Sequence, residues 1–368
     1  MLTHCHELCK PVSIMILVNL ALAFVNLLLK KVLNEGMDFT CIITYRQAIS
    51  FIFMAPIAYF YDRKHKLELH IICLLFLSAL LGVTFPQYLF LLGLEYTSAT
   101  FSCAFLNMVP VFTFIMAVPF GIEKLNMQSK SGKAKVMGTF VCIGGALLLV
   151  LYKGMPLINP DNPQSQHIAN EVTSTPPTAR LEKWIIGSIL LTVGCLLWSS
   201  WFIIQAKISK KYPYQYSSTA ILSLFAATQS AILTLIIKRN NASWILKGTL
   251  EIMSVIYSVI CFFTNSKFKS KYRFAFQGLV GSGLCYVAMS WCVKQRGPVF
   301  TSAFTPLIQI FVAVLDFSII KEEIYLGSVA GSALVIAGMY ILLWGKSKEE
   351  EGQHVLKDTQ TNQDVECQ

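Results

Sequence analysis

Two stretches of this 368-residue chain repeat one another. Phe101-Ser-Cys-Ala-Phe-Leu-Asn-Met-Val-Pro-Val-Phe112 aligns with Phe300–Phe311 at a constant offset of 199, with matches at Phe101/Phe300, Ala104/Ala303, Phe105/Phe304 and Phe112/Phe311. The same offset pairs Gly82 with Gly281 upstream and Glu123 with Glu322 downstream. The alignment resumes at an offset of 193, with Gly138/Gly331 and Gly145/Gly338. A chain that repeats itself over this length is built as two copies of one unit. Each copy consists of apolar runs, and roughly 20 apolar residues suffice to cross a bilayer as a helix.

The runs are Pro11–Leu29, Cys41–Tyr61, His70–Leu92, Ser98–Phe120 and Met137–Tyr152, then Trp184–Ile204, Ser217–Ile237, an interrupted eighth, Val299–Ile320 and Leu326–Trp344. Ten runs make five per copy, and an odd number forces the second copy to insert upside down. The sequence therefore predicts an all-α membrane protein, with ten transmembrane helices as two inverted five-helix repeats. Transporters use this design, with substrate held near the midplane between the halves. Only 14% of residues are charged, against about 25% in soluble domains, which argues against a soluble globule. The net charge of +10 then reads as loop charge that sets orientation, not as a nucleic-acid footprint. With the N-terminus in the cytosol, the loops on that side carry the larger share of Lys and Arg, so both termini are expected there.

Along the chain this gives a cytosolic N-terminus (1–10), a first repeat (11–152), a flexible Pro-, Asn-, Ser- and Thr-rich linker (153–183), a second repeat (184–346) and a disordered acidic tail (347–368). Pro11–Leu29 lacks a cleavage-type signal and reads as a retained span. The segment Val259–Gln277 splits helix eight and carries Lys267, Lys269, Lys271 and Arg273. Without it, Ile252–Ser258 joins Gly278–Cys292 into one span of the right length. Valine codons begin GT and one glutamine codon is CAG, the boundary letters of an intron. The segment reads as a translated, unspliced intron, the alternative being a basic loop before a shorter helix eight, Phe274–Cys292. Asn241-Ala-Ser243 is a glycosylation sequon in an outer loop.

Ionisable and polar groups inside the membrane are costly, and so are functional candidates. Arg46, after Tyr45 in helix two, could bind a substrate carboxylate bidentately, or could pair with a helix-end carbonyl. In helix nine, Ser302, Thr305, Gln309 and Asp316 share one face, which suits a cavity lining or bonds between helices. Helix four carries Asn107 and Pro110, and Pro306 takes the Asn107 position in the second copy. Proline interrupts a helix, and interrupted helices mark transporter sites. Trp198 and Trp201 could wall a cavity or join an aromatic belt, and Trp291 and Trp344 fit such a belt. Glu123 and Glu322, ending helices four and nine on opposite faces, and Asp316 are charges for gating or for the interface. Gly327 to Gly331 is a GxxxG that allows close helix contact. The 11 cysteines have no CxxC or Cys/His spacing, so no metal is expected and small packing roles are. No GxxxxGK[ST], GxSxG or HExxH occurs, so the chain reads as no enzyme, with no cofactor, and transport would be facilitated or driven by an ion gradient.

The combination Gly36-Met37, Tyr45-Arg46, Tyr96-Thr-Ser-Ala-Thr100, Asn107-Met-Val-Pro110, Trp291 with Arg296-Gly-Pro-Val-Phe300, Pro306-Leu307, Glu322-Glu323 and Leu343-Trp-Gly-Lys346 resembles the plant nodulin-21-like, EamA-type transporters, the walls-are-thin-related (UmamiT-like) members of the drug/metabolite transporter superfamily. The likeness runs from Pro11 to Lys346. It implies two EamA units of five helices, a plasma-membrane or vacuolar location, and bidirectional movement of amino acids, or of auxin in the walls-are-thin-related members. The family pattern passes from Tyr257-Ser258 straight into Gly278-Leu-Val-Gly-Ser-Gly283, so Val259–Gln277 departs from it. The expected function is secondary transport of small organic metabolites, most of all amino acids, by alternating access. The expected partners are the substrate and the lipid bilayer, with proton coupling left open and no nucleic acid. The alternatives are an auxin or other metabolite transporter of the vacuolar membrane, a non-transporting membrane scaffold, and an inactive mis-spliced product.

Overall fold

The computed structural model describes residues 2–34, 39–62, 68–97, 102, 105–123, 128–151, 156–158, 177–237, 277–320, 324–325, 330–331 and 333–349. The insert 259–277 and the Asn241 sequon therefore lie outside the described residues, except for Gln277. Helix follows helix. The elements are α1 (Leu2–Asn34), α2 (Phe39–Tyr61), α3 (Leu69–Ala79), a π-helical turn (Leu80–Thr84), α4 (Phe85–Tyr96), α5 (Val109–Ala117) and α6 (Lys130–Leu151). After them come α7 (Pro177–Lys211), α8 (Gln215–Ile237), a second π-helical segment (Gln277–Leu284), α9 (Cys285–Arg296), α10 (Pro298–Ala303), α11 (Leu307–Ile320) and α12 (333–349). One departure from the all-α expectation is a short antiparallel ribbon, β1 (Pro156–Ile158) with β2 (Ile324–Tyr325).

Among the described residues, Thr40–Tyr61, Leu69–Tyr96, Glu182–Lys211 and Gln215–Ile237 are long and apolar enough to cross a membrane, and Lys10–Asn26 and Pro298–Val312 are apolar but shorter. Several helices outrun their apolar cores. α7 begins at Pro177, inside the stretch read as linker, and α12 continues to residue 349, past the start of the expected tail. Backbone N–H and C=O groups near the membrane surface still need partners, and continuing the helix supplies them while polar side chains reach water.

The two π-helical turns occupy matching places. Leu80–Thr84 moved by 199 positions falls inside Gln277–Leu284. In the first turn, Gln229 of α8 holds the loosened backbone: its Nε2 donates to the Phe76 carbonyl at 3.1 Å, and its Oε1 accepts from the Thr84 hydroxyl at 3.0 Å. Gly82 lies directly under the indole of Trp201 on α7, where a Cβ would overlap the ring. Gly281 lies against Val25 of α1.

α2 and α8 run antiparallel, tied by a Ser50–Ser223 hydroxyl bond of 2.8 Å between fully buried residues. Asp62 Oδ2 accepts from the Ser217 N–H at 2.9 Å and its hydroxyl at 3.0 Å, which satisfies the start of α8. α6 and α12 also run in opposite directions along a seam of small residues. Ser131 Oγ donates to the Gly345 carbonyl at 2.7 Å. A Cβ on Gly138 would come within 2.7 Å of the Gly338 carbonyl, and one on Gly145 within 3.0 Å of the Gly331 carbonyl. Three levels of contact, each a heptad along both helices, let the backbones approach closely.

The apolar runs Ser98–Phe120 and Val299–Ile320 are each broken midway. A turn at Asn107 and Met108 precedes α5, and a turn over 304–306 separates α10 from α11. Prolines account for both, since each removes an N–H that the previous turn needs. At Pro306 the carbonyl of Ser302 accepts from Thr305 N instead, at 2.9 Å. Near Pro110 the carbonyl of Phe105 accepts from Met108 N at 2.9 Å and from the Cys195 thiol at 3.1 Å. Cys195, like Cys41, Cys142, Cys285 and Cys292, is buried and takes part in no disulfide.

Candidate functional site

The two breaks meet. Asn107 Nδ2 donates to Gln309 Oε1 at 2.7 Å. Asn107 is buried, and its Oδ1 has no partner among the described residues. The offset of 199 places Asn107 opposite Pro306 and Pro110 opposite Gln309. Each break thus contributes one proline and one amide, in reversed order. Pro110 and Pro306 are both buried, and Thr305 is half-buried at the turn. Ser302, on the same expected stripe, spends its hydroxyl on the Val299 carbonyl of its own helix at 3.1 Å.

A second group gathers around Tyr286 on α9. Trp201 packs edge-on against it at 5.3 Å between ring centroids, and Trp198 at 6.4 Å. Trp198 and Trp201 are 6.2 Å apart. Both tryptophans are therefore interior, not belt residues: Trp201 is 1% exposed and Trp198 half-buried. Trp291 packs against the core as well, whereas Trp344 is exposed and fits the belt. Arg46 of α2 lies within electrostatic range of Tyr286. Its backbone carbonyl packs against Gly278, which brings α2 onto the second π-helical segment. Arg46 Nε is buried with no hydrogen-bond partner among the described residues, and no described carboxylate pairs with the guanidinium. The Gln87 side chain of α4 reaches the Tyr286 hydroxyl, close enough to donate to its oxygen. Gln87 Oε1, Tyr286 Oη and Trp201 Nε1 also lack partners among the described residues.

A third group lies at one membrane face, beyond the spans. Glu123, after α5, is 8% exposed and joined to two lysines. Lys135 Nζ of α6 donates to Glu123 Oε2 at 3.2 Å, and Lys346 Nζ of α12 donates to Oε1. Lys135 also pairs with Glu349. Burial alone would raise the Glu123 carboxyl; Lys346 and then Lys135 more than reverse this and hold it below the usual carboxylate range. At Lys346 burial wins instead and lowers the ammonium from its ordinary value. Asp316 falls on α11, and Glu322 lies outside the described residues.

The sequence reading singled out Glu123 but missed its partners. Lys135 looked like one more inner-loop cation, and Lys346 like the end of a span. Tyr286 stood out only as one more aromatic of an apolar helix, open to packing or belt roles, and Gln87 was hidden because single Gln residues are ordinary there.

Comparison with known proteins decides what such a molecule is. The EamA-like transporter family matches twice, at residues 10–151 and 185–344. The chain belongs to the EamA-like transporter family. Within it, this EamA protein is 46% identical to WAT1-related protein At3g30340 of Arabidopsis thaliana, over 98% of this chain and 93% of that one. It is 47% identical to WAT1-related protein At4g01440 of the same plant, over 93% and 88%. A solved crystal structure shares the fold, with a TM-score of 0.60 at 11% identity, covering 91% of this chain and 98% of the other. The resemblance read from the motifs is thus borne out: the EamA chain is an integral membrane transporter of the plant drug/metabolite type, and not an enzyme.

Proposed function

We propose that this chain is a secondary transporter or facilitator of small organic carboxylates, amino acids above all. The observation that carries this reading is Arg46: a guanidinium inside an apolar helix, near the buried Tyr286, with no carboxylate partner among the described residues. A buried unpaired charge costs several kcal/mol, and a substrate carboxylate offsets that cost through a bidentate bond. Asn107, Thr305 and Gln309 line the adjoining path at the two helix breaks, and Trp198 and Trp201 wall it.

The ten-helix inverted repeat supplies the motion. Two findings support it: π-helical turns at matched positions, and the antiparallel seam in which the Gly138–Gly338 contact maps onto Gly331–Gly145 under the offset of 193. Rocking one repeat against the other alternates access to the site. Glu123 with Lys135 and Lys346 closes the cytosolic face, and Glu322 and Asp316 take the outer side. The protein resides in the plasma or vacuolar membrane with both termini in the cytosol, and a proton gradient is a candidate driving force.

The aromatic walls favour a second reading, in which auxin, an aromatic carboxylate, is the cargo. Uptake and efflux of labelled amino acids and auxin in oocytes test both, with Arg46→Ala beside the wild type and with a chain lacking Val259–Gln277. Arg46→Ala is expected to weaken carboxylate uptake tenfold or more, about the worth of a charged hydrogen-bond pair, at unchanged surface abundance. Equal losses of uptake and abundance would mean a folding role for Arg46 and would leave the membrane scaffold as the better account. Transport by the shortened chain alone would mark the insert as a mis-spliced remnant.

A further inference from the structure

We propose that Tyr286 is the second anchor of the substrate carboxylate and determines its selection over an uncharged amide, with Trp201 Nε1 as a third donor. The inference rests on the reading that Arg46 meets a carboxylate. Three donor groups from three helices are buried in the neighbourhood of the Tyr286 ring. Arg46 Nε comes from α2, Tyr286 Oη from α9 and Trp201 Nε1 from α7, and each lacks a hydrogen-bond partner among the described residues. Tyr286 is in electrostatic range of Arg46 and in ring contact with Trp201. Tyr286 and Trp201 are 5% and 1% exposed, so bulk water does not serve them.

A tyrosine kept only for its ring leaves its hydroxyl either bonded or in water, because burying it unpaired costs stability for no return. Indole N–H groups follow the same rule. Arg46 Nε and Trp201 Nε1 can only donate, and a Tyr286 hydroxyl that accepts from Gln87 has its proton left to give, so the three suit an anion with two oxygens. Gln87, whose side chain reaches the Tyr286 hydroxyl, has its Oε1 without a partner among the described residues and supplies an acceptor for a substrate N–H. The fit is to a carboxylate with a nitrogen donor nearby. Gly82 belongs to the same arrangement, since only a residue without a side chain leaves the Trp201 indole room to hold this place.

The test uses the purified full chain in detergent and measures thermal stabilisation by L-phenylalanine and by L-phenylalaninamide, which lacks the carboxylate. The wild type should be stabilised by the acid in preference to the amide. Tyr286→Phe keeps the ring and its packing. It should weaken the apparent affinity for the acid about tenfold, as expected for loss of one hydrogen bond to a charged group, leave the response to the amide unchanged, and not lower the ligand-free melting temperature, since the hydroxyl it removes is unpaired there. Should Tyr286→Phe behave as wild type while Arg46→Gln loses the acid response, the Tyr286 assignment falls and the Arg46 reading stands. If Arg46→Gln behaves as wild type, the Arg46 reading falls and takes this one with it. Tyr286→Phe that loses both responses together with ligand-free stability marks a packing residue. A wild type stabilised equally by acid and amide, or by neither, overturns both readings.

Discussion

Gly82 and Trp201 are matched by subtraction: the indole occupies the space that any other residue at position 82 would need. Gly82→Ala should therefore cost about 1–3 kcal/mol through overpacking, seen as a lower melting temperature in detergent. Glu123 makes a prediction about acid. Its carboxyl is held below its ordinary value in the folded chain. The stability it contributes is thus fully present above about pH 4.5 and is lost as pH falls through the lower folded value. A melting profile taken between pH 6 and pH 3 should show this decline, and Glu123→Gln should flatten it while lowering stability at pH 6, because Lys346 and Lys135 would then share Glu349 as their remaining carboxylate. Arg46 was legible in the sequence because a charge in an apolar run stands out. Tyr286 was not, because nothing along the chain distinguishes an unpaired hydroxyl from a bonded one.

At the scale of the element, two broken helices meet through one side-chain bond. Asn107→Ala, Gln309→Ala and the double variant form a cycle whose coupling should be roughly 0.6–1.7 kcal/mol, the range found for hydrogen bonds between membrane helices. Additive losses in reversible unfolding would show that the bond does not join the breaks. Both breaks could be anticipated, since proline marks them on any reading. The π-helical turns could not, because helix three is apolar on every side and its period carries no trace of one extra residue per turn. What holds the first of them open, Gln229, sits 145 positions beyond Thr84. Element ends were also blurred: the apolar run measures the bilayer, whereas the helix continues for as long as its backbone needs partners, as α7 does from Pro177 and α12 does to residue 349.

For the whole molecule, the paired offsets of 199 and 193 already announced two related halves, and the contacts tell how they face each other. Cys142 and Val335 are equivalent positions under the offset of 193, and the Cys142 thiol lies 3.5 Å from the Val335 carbonyl. In a chain divided within 159–176 and co-expressed as two pieces, Val335→Cys should cross-link the pieces under mild oxidation, and Cys142→Ser should abolish the linked band on a gel. Absence of the band in a folded, co-purifying pair would argue against the seam. The same seam bears on how the protein is made. α6 is synthesised early, yet its glycine face has no partner until α12, the last described helix, leaves the ribosome. Until then a strip of closely approachable backbone waits in the membrane, covered only by lipid or by another protein. Any stop codon ahead of residue 333 would strand that strip permanently and remove Lys346 from Glu123 as well. Late truncations should accordingly be cleared by quality control as completely as early ones.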